Sequence, residues 1–128
     1  MIKKISFIAS LLLVLVLPGC YFDNEQELYP YNNNCDTTAI TYSITITPII
    51  QHNCNTCHGS STAVVSGAGI DLEGHANLSG YITAHQTLFL NAIQHTGSAV
   101  PMPLGGGSLS SCNLTHIKMW IDAGMPNN

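Results

Sequence analysis

The sequence contains no arginine, and lysine occurs only at Lys3, Lys4 and Lys118. A chain this poor in cations has no basic patch to neutralise phosphates, which argues against a nucleic-acid partner. Only 8% of the 128 residues are charged, against ~25% in an average soluble domain. No run reaches the ~20 apolar residues of a membrane-spanning helix. No segment alternates with hairpin turns as an all-β chain would. There is no internal repeat and no constellation of acid–base side chains. The length suits one domain. What the chain does have is cysteine, five in all, and an odd count in an exported protein needs an explanation.

The first residues read as an address. Lys3 and Lys4 precede a mostly apolar stretch from Ile5 to Leu17, which fits a secretory signal and is too short to span a membrane. The stretch ends Leu17-Pro18-Gly19-Cys20. This resembles the lipobox of bacterial lipoproteins, with Pro18 departing from the usual small or hydroxylated residue. The resemblance implies a signal peptide over 1–19, removed before a Cys20 that carries lipid. Its removal leaves one lysine against seven acidic residues. Residues 21–34 hold Asp23, Glu25, Glu27, Pro30 and three consecutive asparagines without periodicity. They predict a flexible tether with a reach of about 46–50 Å when extended.

Cys54-Asn55-Thr56-Cys57-His58 is C-x-x-C-H, the attachment signature of c-type haem. Two thiols three positions apart lie on one side of a helical turn and reach two vinyl groups. His58 follows directly, so its imidazole falls under the iron as proximal ligand. A thioredoxin-like pair would follow a strand in a βαβ unit, and none is seen. A zinc site would need a second close ligand pair, which Cys35 and Cys112 do not form. The candidate sixth ligand is Met102, in Val100-Pro101-Met102-Pro103-Leu104 followed by three glycines. The prolines stiffen the loop and the glycines let backbone approach a bulky group. A thioether ligand raises the potential relative to two histidines. The rivals are His75, His85, His95, Met119 and Met125. Met119 reads as core filler and Met125 as part of a fraying tail. His95 reads as a surface cap at a helix end.

The clearest helix is C-terminal. Ser110 is its N-cap, Leu109 and Leu114 form a hydrophobic staple, and Leu114, Ile117, Trp120 and Ile121 share a face. Gly124 and Pro126 end it. A second helix leads into the haem motif, capped by Ser43 or Thr47, with Pro48 in its first turn and Ile46, Ile49 and Ile50 as its apolar stripe. Ile44 and Thr45 favour an extended entry. Residues 59–69 read as loop. A short helix over 72–81 and another from a Thr83 cap to Gln94 follow, the latter burying Leu88, Leu90 and Ile93.

Over residues 40 to 127 this order resembles monohaem class I c-type cytochromes, in particular small exported lipoprotein members. The order is a helix ending in the haem motif, a variable middle, a Met loop and a C-terminal helix. The resemblance implies a small all-α fold, three to five helices around one covalent haem c, over residues 35–128. It implies His58/Met102 coordination and one-electron transfer to redox partners. Its first and last helices cross, which puts Trp120 against Ile46, Ile49 or Ile50 and brings Cys35 to Cys112 as a disulfide. Mitochondrial-type members dock through a lysine ring, and here only Lys118 remains, so a neutral or basic partner fits better. Without arginine, Trp120 and asparagine side chains stand as donors to the haem propionates. The competing functions are a gas-binding or peroxidase-like haem protein with an open distal site, and a haem-free module in which Cys54 and Cys57 pair.

Overall fold

Residues 35–128 are described by a computed structural model. The expected signal peptide, Cys20 and the expected tether lie outside the described residues. From Thr41 the chain enters a π-helical turn, π1 (Tyr42–Ile46), which runs into α1 (Thr47–Asn53). There follow α2 (Asn55–His58), α3 (Ala63–Ser66), α4 (His75–Gln94) and α5 (Ser111–Asp122). The described residues are helical and hold no strand, in keeping with the all-α expectation. None of their helices is long and apolar enough to cross a membrane.

The entry differs from expectation. Neither Ser43 nor Thr47 caps it, because the hydroxyl of Thr41 accepts from the N–H of Ile44. Ile44 and Thr45 are helical, not extended. Pro48 does sit in the first turn of α1, where its missing N–H costs nothing. Ile46, Ile49 and Ile50 are buried as the apolar stripe requires.

α5 forms as its sequence demands. The Ser110 hydroxyl accepts from the N–H of Asn113 at 3.1 Å, which satisfies one orphan donor of the first turn. Leu109 is buried and Leu114 packs against the core, the two ends of the staple. Gly124, at φ +83°, takes the left-handed position after the helix. Ile117, Trp120 and Ile121 enter the same buried cluster as Ile46, Ile49 and Ile50, and α5 packs on π1. Tyr42 stacks on Trp120 with ring centroids 5.7 Å apart. Met119 is exposed, so it fills no core. The indole N–H of Trp120 donates to the Pro126 carbonyl at 2.9 Å, and the side chain is only 1% exposed. It is therefore not free to serve a haem propionate.

The tail after α5 does not fray. Asn128 accepts from the N–H of Tyr42 through its side chain and from the N–H of Ser43 through its carbonyl, each at 2.9 Å. His75 Nε2–H donates to the Met125 carbonyl at 2.9 Å. Met125 packs against the core as a result.

The middle is two helical segments joined at a kink. α4 runs through both and its backbone leaves helical geometry at His85 (φ −137°, ψ 34°), so the two helices expected over 72–81 and 83–94 are present with their bounds and junction shifted. Thr83 is not a cap. Its hydroxyl donates back to the Ser79 carbonyl at 2.7 Å, as Ser79 does to His75. Such back-bonds to i−4 bend helices, and the break lies one half-turn on. It shifts the buried face: Phe89 and Ile93 are buried and Leu90 is half-buried, while Leu88 is 50% exposed. The stretch 59–69 is not all loop, since it contains α3.

Candidate functional site

Cys54, Cys57 and His58 lie on one nearly continuous helical path. The Cys54 N–H donates to Ile50 at the end of α1, and the Cys54 carbonyl accepts from both Cys57 (3.1 Å) and His58 (2.8 Å). The path thus presents both thiols and the imidazole from successive turns. Cys54 and Cys57 are both free thiols. Cys54 is half-buried and burial pushes its thiol up to about 11, while Cys57 is exposed. The two sulfurs therefore differ in access.

His58 is gripped at two points by residues 70–72. Its carbonyl accepts from the Leu72 N–H at 2.8 Å. Its ring Nδ1 lies 2.9 Å from the Ile70 carbonyl. A carbonyl only accepts, so Nδ1 carries a proton, and in the neutral ring Nε2 then keeps its lone pair, the form required of a metal-ligating imidazole. Leu72 is buried, so the strap is fixed in the core. Gly67 lies against the other side. A Cβ there would come 2.5 Å from the Cys57 carbonyl and 2.9 Å from His58 Nδ1, so only glycine fits. Glu73 closes the turn by accepting from the Ser60 N–H at 2.8 Å. None of these partners is adjacent to the motif in sequence, and sequence reasoning missed all of them.

Met102 is held at the other end of α4. Its N–H donates to the Ala92 carbonyl at 3.0 Å. Its carbonyl lies 3.0 Å from His95 Nε2, which donates to it. His95 is thus the C-cap expected of it, and its Nε2 is committed to the Met102 backbone. His75 Nε2 is likewise committed, to Met125. His85 sits at the break in α4, 4.9 Å from the Tyr81 ring. No hydrogen bond joins the Met102 loop to the motif directly among the described residues. The two halves are connected through α4, whose start follows the strap on His58 and whose end holds Met102.

Cys35 and Cys112 form a disulfide, with Cα atoms 5.3 Å apart and a sequence separation of 77. His116, one turn after Cys112, donates from Nε2 to the Asp36 carbonyl at 2.9 Å and pins the Cys35 segment to α5. The two sulfurs and His116 Nε2 lie close enough to hold a metal. Their sulfurs are bonded to each other, so the cluster is a structural bridge.

A cleft of about 460 Å³ is lined by Tyr42, Gln51, Asn55, Glu73 and His75, among others, and touches the motif only through Asn55. Asn55 Oδ1 is buried there without a partner. Large aliphatic side chains are exposed beside both halves of the candidate site in sequence: Val64 and Val65 after the motif, Val100 and Leu104 around Met102. No family model, curated protein or solved structure matches the chain.

Proposed function

We propose that this chain is a one-electron carrier built on a single covalent c-type haem, with His58 and Met102 as axial ligands. The observation that carries the reading is the state of His58. Its Nδ1–H donates to the Ile70 carbonyl, which in the neutral ring leaves the Nε2 lone pair for a metal. That ring follows directly on two free thiols spaced three apart.

The residues fit the group. Cys54 and Cys57 would hold the haem by adding S–H across its two vinyl groups, the sulfur to one carbon and the hydrogen to the other. Their local path already places both on turns adjacent to His58. Ile70 and Gly67 hold the His58 ring in one orientation, and the Met102 thioether would come from the loop between Pro101 and Pro103. Val64 and Val65 after the motif, and Val100 and Leu104 around Met102, are exposed apolar side chains that a macrocycle would cover. A haem bound there supplies a reversible one-electron iron couple.

The proposed setting is extracytoplasmic, with lipid on Cys20 and a tether to the domain. The support is the lipobox-like Leu17–Cys20 run and the disulfide, a bond of oxidising compartments. Docking to redox partners does not use a lysine ring, and a neutral or basic partner fits the acidic chain. The one lysine of the described residues, Lys118, is already paired with Asp122 at 2.8 Å. Mass spectrometry of the exported, matured protein tests the attachment. We expect one haem mass on the peptide containing Cys54 and Cys57. Two unmodified thiols, or a Cys54–Cys57 disulfide, in matured protein would sink the reading.

A further inference from the structure

We propose that His95 is the positioning residue for Met102: its imidazole latches the Met102 backbone to the end of α4 and so sets how firmly the thioether ligates iron. The inference rests on the haem reading above and adds a residue to it.

Two independent features of His95 carry it. The first is the hydrogen bond itself. Met102 has two backbone polar groups, and α4 holds both: Ala92 takes the N–H at 3.0 Å and His95 Nε2 gives to the carbonyl at 3.0 Å. A loop residue fixed at both its N–H and its carbonyl has little freedom left in the peptide units on either side. The side chain is then delivered from a defined point.

The second feature is the backbone of His95. It sits at φ +55°, ψ 45°, the left-handed position that ends α4. Glycine ordinarily fills that position, because a Cβ costs free energy there. The rest of the turn is the usual helix stop, with the N–H groups of His95 and Thr96 returning to Ala92 and Asn91. A side chain is therefore carried where none is needed to end the helix. The hydrogen bond the structure gives it goes to Met102. Ala68 and Met125 also take left-handed φ; what sets His95 apart is that its side chain bonds the Met102 carbonyl.

The latch is exposed, and an exposed hydrogen bond contributes modestly. Its loss should raise the affinity of a competing sixth ligand about threefold to tenfold. The probe is imidazole added to the oxidised holoprotein, read by absorption in the parent, His95→Gly and Met102→Ala. The glycine variant removes the latch while relieving the left-handed strain. We expect it to bind imidazole about threefold to tenfold more tightly and to weaken the sulfur–iron absorption band. The thermal midpoint of the same variant as apoprotein should stay level or rise, which a merely structural role for His95 would not allow. Met102→Ala should bind imidazole more tightly still. A rise in Met102→Ala with no change in His95→Gly would overturn the latch alone. Equal affinities in the parent and Met102→Ala would overturn Met102 as ligand, and the latch with it. A His95→Gly apoprotein that melts below the parent would also overturn the proposal, since the residue would then be holding the fold.

Discussion

At the scale of single residues, the site is set by contacts that fix a proton and exclude a methyl group. Ile70 keeps the His58 proton on Nδ1, and Gly67 lets the backbone lie against the ring. In Gly67→Ala the new Cβ meets backbone at 2.5 Å, so the motif or α3 must shift. We expect a loss of about 1–3 kcal/mol in apoprotein stability by denaturant unfolding, together with reduced haem loading. The thiols give a second residue-level prediction. Burial raises the Cys54 thiol from its ordinary 9.0 to about 11, whereas Cys57 is exposed. The fold therefore favours the protonated Cys54. Stability is unaffected below pH 9 and falls as pH rises from 9 to 11, where the unfolded chain ionises and the folded one resists. Apoprotein melts across that range should show the loss, and holoprotein, whose thioether has no proton to lose, should lack this contribution. Alkylation near pH 8 should label Cys57 before Cys54, and equal rates would count against the assignment.

At the scale of elements, α5 and its partners hold the domain closed. The Cys35–Cys112 bridge spans 77 residues, and the chain-entropy model gives it about 4.5 kcal/mol. Replacing both cysteines by serine should lower the thermal midpoint accordingly, measured on oxidised apoprotein. A shift within error would show that the His116–Asp36 bond alone holds that corner. The same elements show what was legible in the sequence. The α5 cap, staple, apolar face and glycine stop are signals between near neighbours, and each stands where the local pattern puts it. The α4 face was misread at Leu88 because the break at His85 has no proline or glycine to announce it. Its trigger is a pair of hydroxyls bonding backwards, and Thr83 looks the same as a cap until the direction of that bond is known. The Thr41 cap was hidden because Ile44 and Thr45, β-branched residues, read as extended and the helix instead opens with a π turn. The His58–Ile70 and Tyr42–Asn128 bonds span 12 and 86 residues. No periodicity over a short window reports such pairs.

At the scale of the whole molecule, the domain over 35–128 binds its tail to its first turn and its first cysteine to its last helix. Together with lipid proposed on Cys20 and haem on Cys54 and Cys57, that bridge leaves none of the five cysteines without a task. The scarcity of charge then bears on docking. With no arginine and with Lys118 already paired, the domain offers a redox partner no cationic ring, and raising ionic strength should weaken association only if that partner is basic. The central claim is that His58 and Met102 together ligate one covalent haem. Absorption spectra of the exported, matured protein, oxidised and reduced, test it most directly. The spectra should show six-coordinate, low-spin haem in both states, with a sulfur–iron band in the oxidised form that Met102→Ala abolishes. A five-coordinate, high-spin spectrum, or a band that survives Met102→Ala, would contradict it.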